Sequence, residues 1–129
     1  MNSELPKVLV EVNGRPMLSY VLSALREGGV DRIVLVVGHR EELLREALAD
    51  QTDLDFVVQR EQLGTGHAVM VCRHVIQHQD GPVAVVAGDA PLMQAESIAT
   101  LLAEYERQPA GCILGTVRKQ EPAGLGRIL

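Results

Sequence analysis

Aromatic side chains are nearly missing from this chain, which has no tryptophan, one phenylalanine and two tyrosines among 129 residues. Binding of single-stranded nucleic acid relies on aromatic rings that stack successive bases, and there are too few rings here to build such a surface. Positive charge is also scarce. Lysine and arginine number 12 against 17 aspartates and glutamates, giving a net charge of −5, so the electrostatic footprint of a general nucleic-acid binder is absent. Cys72 and Cys112 are too few and too separated for a disulfide framework; each lies in an apolar stretch and reads as a buried free thiol. No apolar run reaches the length of a membrane span, and Met1 to Pro6 carries no signal-peptide pattern. The expected setting is therefore cytoplasmic, with no membrane partner.

What the chain does have is aliphatic bulk: 47% of its residues are hydrophobic, enough for one core and too short a chain for two ordinary domains. Strand and helix signals alternate along it. Pro16 suits a first helical turn, and Met17, Leu18, Val21, Leu22 and Leu25 recur at helical spacing until Gly28-Gly29. Ile33 to Val37 reads as a buried strand, Leu43, Leu44, Ala47 and Leu48 as a helix, and Leu54 to Val58 as a second strand. Ala68, Val71, Cys72 and Val75 then mark a helix, Val83 to Ala87 a strand without a polar residue, Ile98, Leu101, Leu102 and Tyr105 a further helix, and Cys112 to Val117 a last strand. Such alternation implies an α/β fold with a parallel sheet and right-handed crossovers. Lys7 to Val12 stays open between a first strand and a short extended piece leading into the first helix.

Three segments carry chemistry. Gln59-Arg60-Glu61-Gln62-Leu63-Gly64-Thr65-Gly66-His67-Ala68 follows a strand signal and opens into a helical one. Its two glutamines offer amide donors and acceptors that can pair with a base edge, and Gly64, Thr65 and Gly66 allow backbone N–H groups to approach a ligand. The same residues would also make an ordinary strand-to-helix turn. Gly88-Asp89-Ala90-Pro91-Leu92 ends the Val83 to Ala87 run with one carboxylate, at the edge where open α/β sheets bind ligands. Asp89 there suits a divalent cation, and equally a turn ahead of proline. Lys7, in Leu5-Pro6-Lys7, is either a phosphate contact or a solvated surface lysine. His74 and His78, four apart with Cys72 nearby, lack a second ligand pair of zinc type and read as exposed positions on an amphipathic helix.

Together these segments resemble the uridylyltransferase domain of the bacterial bifunctional N-acetylglucosamine-1-phosphate uridylyltransferase and glucosamine-1-phosphate acetyltransferase. The resemblance runs from Leu5-Pro6-Lys7-Val8-Leu9 through Gly14-Arg15-Pro16-Met17, Gly38-His39, the Gln59 to Ala68 turn and Gly88 to Leu92 to Gly124-Leu125-Gly126-Arg127-Ile128. It implies a Rossmann-like nucleotide-diphospho-sugar transferase fold with a mostly parallel sheet, here truncated at both ends. Residues 1–129 are then a partial nucleotidyltransferase domain, without the family's first strand and its Gly-rich phosphate loop and without the C-terminal part. The implied activity is transfer of a uridylyl group from UTP to N-acetylglucosamine 1-phosphate, giving UDP-N-acetylglucosamine and pyrophosphate for peptidoglycan and lipopolysaccharide synthesis. By the same resemblance Lys7 and Asp89 are catalytic, Asp89 ligates Mg²⁺, Gln59, Gln62, Gly64 and Thr65 bind the nucleotide, and Gly126 lies beside the sugar. The intact family is trimeric, so a homo-oligomer is implied as well.

The implied activity is that of the intact domain, and residues 1–129 are expected to be weak or inactive in it; a different class of function stands beside the enzyme, a residual nucleotide-binding module or an inactive fragment that catalyses nothing, favoured by the missing phosphate loop. A dinucleotide-dependent oxidoreductase is disfavoured, because no Gly-x-Gly-x-x-Gly follows a strand signal.

Overall fold

The computed structural model describes residues 5–108, 110–118 and 120. Its centre is helix α1, Met17–Glu27, whose Leu18, Val21, Leu22 and Leu25 form one buried face at the i, i+3, i+4, i+7 spacing of an amphipathic helix. Pro16 precedes the first turn, where its missing N–H costs nothing, and the Met17 N–H donates to the Val10 carbonyl at 3.0 Å. At the other end the Gly29 N–H reaches the Arg26 carbonyl and the Val30 N–H the Leu25 carbonyl, both at 3.1 Å. This pair of bonds closes the helix in a Schellman arrangement, and it requires the positive φ of +90° at Gly29.

Strands β3, Ile33–Val37, and β4, Leu54–Val58, pair in parallel with Ile33 opposite Leu54 and Val37 opposite Val58. A parallel pair needs a crossover. Helix α2, Glu41–Ala47, supplies it and buries Leu44, with Leu48 just beyond. Two ion pairs fasten the outer side: Arg26 donates twice to Asp53 (2.7 and 2.8 Å) and once to Gln51 (2.7 Å), and Arg32 donates to Asp55 (2.7 Å). The guanidinium of Arg26 holds the Asp53 carboxyl below its usual range. Helix α5, Ala95–Arg107, packs Ile98 against α1 at Gly28, so tightly that a Cβ on that glycine would stand 2.8 Å from the Ile98 Cβ.

The segment left open, Lys7 to Val12, is neither a long strand nor simply extended. Lys7–Leu9 is a single 3₁₀ turn, and Glu11–Val12 (β1) pairs antiparallel with Arg15–Pro16 (β2) around a two-residue turn at Asn13-Gly14. The helix expected from Ala68 to Val75 is divided into α3, Thr65–Val71, and α4, Arg73–Ile76. At the break, the Cys72 N–H bonds three residues back to Val69, tightening the turn.

Two expected strands are not formed. Val83 to Ala87 and Cys112 to Val117 carry no sheet ladder, and the described residues place no third strand beside β3 and β4. An apolar run becomes a strand only when a neighbour takes up its backbone donors and acceptors. Cys112 follows the same logic and is exposed rather than buried, whereas Cys72 is buried as expected and burial pushes its thiol pKa up. Among the described residues, no helix is long and apolar enough to cross a membrane.

Candidate functional site

The parallel register sets the C-terminal ends of β3 and β4 side by side, Val37 opposite Val58, so the residues that follow, Gly38 and Gln59, leave the sheet on the same edge. The Gln59 N–H extends the ladder by one bond, to the Val37 carbonyl at 2.7 Å. From there the chain turns sharply. Gly64 sits at φ +94°, ψ −179°, a region that is essentially glycine's alone, and hands the chain to α3 at Thr65. Its carbonyl accepts from the Ala68 N–H at 3.1 Å and from Gln59 Nε2 at 3.2 Å, and the same Nε2 lies 2.9 Å from His67 Nδ1. The turn is therefore braced from inside by the half-buried Gln59, while Gln62, Gly64 and Thr65 are exposed to solvent.

Gly38 has a spatial role. A Cβ there would lie 2.7 Å from Gln62 Nε2, so the bare backbone at the end of β3 is the floor on which the Gln62 amide rests. An alanine would displace a flexible side-chain tip rather than the fold.

Lys7 and Asp89, distant in sequence, meet through packing. The 3₁₀ turn buries Leu9 in the core beside α1, and Val8 together with Leu18 comes within 3.5 Å of where a Gly88 Cβ would stand. With both neighbours docked, Lys7 Nζ donates to Asp89 Oδ2 at 2.6 Å. The two side chains remain 75% and 38% exposed, and an exposed pair of this kind contributes at most about 1 kcal/mol of stability. Its effect is on charge. The Lys7 ammonium, first as hydrogen-bond donor and then as a charge, holds the Asp89 carboxyl below the usual carboxylate range.

That carboxylate suits a divalent cation of a particular kind. Among the described residues no three His, Cys, Asp or Glu side chains gather into a metal cage. Mg²⁺ commonly binds through one or two carboxylates and completes its oxygen shell with waters and substrate phosphates, which the partly exposed Asp89 carboxylate, with only its Oδ2 bonded to Lys7, permits. His74 and His78 do not converge: the His74 ring bonds the Val71 carbonyl at 3.0 Å, and the His78 ring lies 3.1 Å from the Gln77 amide.

The structure thus groups the expected site residues into two clusters, Lys7 with Asp89, and Gln59, Gln62, Gly64 and Thr65 on the turn. Among the described residues no hydrogen bond or ion pair joins the clusters. Gly126 lies outside the described residues. Two residues contribute more than their sequence context suggests. His67 braces Gln59 from eight positions away, and Gly38 makes room for Gln62; the only sequence signals were a polar ring in the first turn of α3 and a glycine directly after a strand.

Comparison with known proteins places these features in a family. Over its full 129 residues the chain is 42% identical to the bifunctional protein GlmU of Geotalea daltonii and 41% identical to that of Syntrophomonas wolfei subsp. wolfei, and it is 40% identical to that of Streptococcus pyogenes serotype M6. In each case the chain spans 28% of the relative's length. The family model for the MobA-like NTP transferase domain matches residues 1–127. An α/β chain with a parallel strand pair, matched almost end to end by that model, belongs to the MobA-like NTP transferase domain family of nucleotidyltransferases.

Proposed function

We propose that this chain serves the transfer of a uridylyl group from UTP to N-acetylglucosamine 1-phosphate, yielding UDP-N-acetylglucosamine and pyrophosphate. The observation that carries the reading is the convergence of Lys7 and Asp89 at 2.6 Å from 82 residues apart, in a chain whose glutamine turn leaves the sheet at its ligand-binding edge. In-line phosphoryl displacement asks for positioning and charge neutralisation more than for covalent help. Lys7 offers a mobile point charge to the phosphates. Asp89 is the anchor for Mg²⁺, which when bound would neutralise phosphate oxygens. Gln59, Gln62, Gly64 and Thr65 hold the uracil, and Gly126, outside the described residues, is assigned to the sugar by resemblance. The product would supply peptidoglycan and lipopolysaccharide synthesis in the cytoplasm, with the enzyme assembled as a homo-oligomer.

A second reading, nucleotide binding without turnover, is favoured by one feature: the segment that delivers Asp89, Val83 to Ala87, has no sheet ladder to hold it. Pyrophosphate release by the purified chain with UTP, N-acetylglucosamine 1-phosphate and Mg²⁺ separates the two. The transferase reading expects metal-dependent release that prefers UTP over CTP and drops sharply in Asp89→Asn. UTP binding with no release supports the second reading, and absence of both binding and release removes both.

A further inference from the structure

We propose that His67 is a positioning residue for base choice, because together with the Gly64 carbonyl it holds the Gln59 carboxamide with its oxygen left to read the nucleotide. The proposal rests on the uridylyl reading above and adds to it a residue outside the expected site.

The argument begins at the Gly64 carbonyl. A carbonyl oxygen can only accept a hydrogen bond, so the Gln59 atom 3.2 Å from it has to be the amino nitrogen Nε2. That nitrogen has one further hydrogen, and His67 Nδ1 is 2.9 Å away. Only a bare ring nitrogen can accept it, so neutral His67 carries its proton on Nε2. Both Gln59 donors are then spent inside the turn. No described residue donates to Gln59 Oε1, which leaves Gln59 a pure acceptor toward any ligand.

Pyrimidine bases differ at the position such an acceptor reads. Uracil presents an N3–H donor, whereas cytosine presents a lone pair at N3 beside an amino group. A carboxamide locked with Oε1 free accepts from uracil and repels cytosine at N3. Held by the Gly64 carbonyl alone, at 3.2 Å, it rotates more readily and can offer Nε2 to cytosine instead. Discrimination of this kind comes from leaving a polar group unpaired with the wrong ligand. His67 itself makes no contact with the base in this scheme.

Two measurements on the purified chain test this. Long-range ¹H–¹⁵N spectra report the imidazole tautomer, with His67 assigned by the signal lost in His67→Asn; a bare Nδ1 and a protonated Nε2 are expected, and a proton on Nδ1 in the neutral ring overturns the proposal. Calorimetric titration with UTP and with CTP then gives the selectivity ratio. His67→Ala should lower the UTP:CTP ratio by roughly tenfold, through weaker UTP binding and stronger CTP binding together. His67→Asn should restore it, because Oδ1 stands where Nδ1 stood and accepts the same hydrogen. Equal losses for both nucleotides in His67→Ala would mark a merely structural brace and sink the proposal, as would a failure of His67→Asn to restore selectivity. A parent chain with no preference for UTP overturns the uracil reading itself, and the role of His67 with it, whichever tautomer is found.

Discussion

Residues 17–58 and 81–118 are built from the same aliphatic vocabulary yet fold to different degrees. The first stretch contains α1 and the paired strands β3 and β4, with Val21, Leu22, Ile33 and Val37 almost wholly buried. Among the described residues of the second, α5 is the only regular element, and Val83 (52%), Val85 (56%) and Leu114 (67%) stand open to solvent. Hydropathy does not separate them; partners do. Each β3 residue faces a β4 residue in register, and Ile33 and Val37 share one core with Leu18, Val21, Leu22 and Leu25 of α1, whereas 83–87 has no ladder neighbour among the described residues. Apolar content thus states a demand for burial, and only a neighbour with matching backbone groups meets it.

Substitutions can break or sharpen this contrast. Leu22→Ala, at the most enclosed side chain of α1, should destabilise the fold by about 2–5 kcal/mol in urea unfolding; a loss well below that range would mean the first stretch is no better packed than the second. Gly28→Ala tests the contact between the two stretches, since its Cβ would stand 2.8 Å from the Ile98 Cβ and 2.9 Å from the Ala24 carbonyl oxygen. Overpacking there should cost about 1–3 kcal/mol, and a neutral result would show that α5 yields freely. Lys7→Met removes the bridge between the chain's beginning and 81–118. Stability should change by less than about 1 kcal/mol, while the Asp89 carboxyl, observed by NMR, should titrate at higher pH than in the parent. The sign follows from its lowered pKa: the pair's contribution is present above the unfolded carboxyl's ordinary value of about 3.9 and fades as pH falls through the folded one. An unmoved midpoint would show that Lys7 does not hold that charge. Val85→Thr, at an exposed side chain, should stay within about 0.5 kcal/mol of the parent, and a larger loss would reveal packing on 83–87 that its exposure denies.

How much of this was legible in the sequence follows from where the information resides. Helices α1 and α5 declare themselves because a helix satisfies its own backbone, so the spacing of Leu18, Val21, Leu22 and Leu25 or of Ile98, Leu101 and Leu102 is sufficient evidence. Strands β3 and β4 were legible because each found the other. Val83 to Ala87 carries an equally good strand pattern, and Cys112 an equally apolar setting, but their outcome depends on neighbours that a local pattern does not encode. The site divides in the same way. Gln59, Gln62 and Gly64 sit within one short loop and can be picked out as candidates from residue type, whereas spacing could not bring Lys7 to Asp89, and the family resemblance assigned each a role without pairing them. The role of His67 was hidden for a finer reason: it depends on which way round an amide lies.

The two clusters of the site also differ in the span of chain they must close. Gln59 meets His67 across eight residues, and Lys7 meets Asp89 across 82. Loop-closure entropy grows as three-halves RT times the logarithm of length, so the longer closure costs about 2 kcal/mol more. In a chain emerging from synthesis or recovering from denaturant, the glutamine turn is expected to assemble well before the charged pair. If the pair closes last, Lys7→Met should refold at the parent's rate, because a contact absent from the transition state affects unfolding and not folding, and a slowed refolding rate would contradict this. On the proposed function, the part of the site assigned to the base is thus local and early, and the part assigned to the phosphates waits for the whole fold.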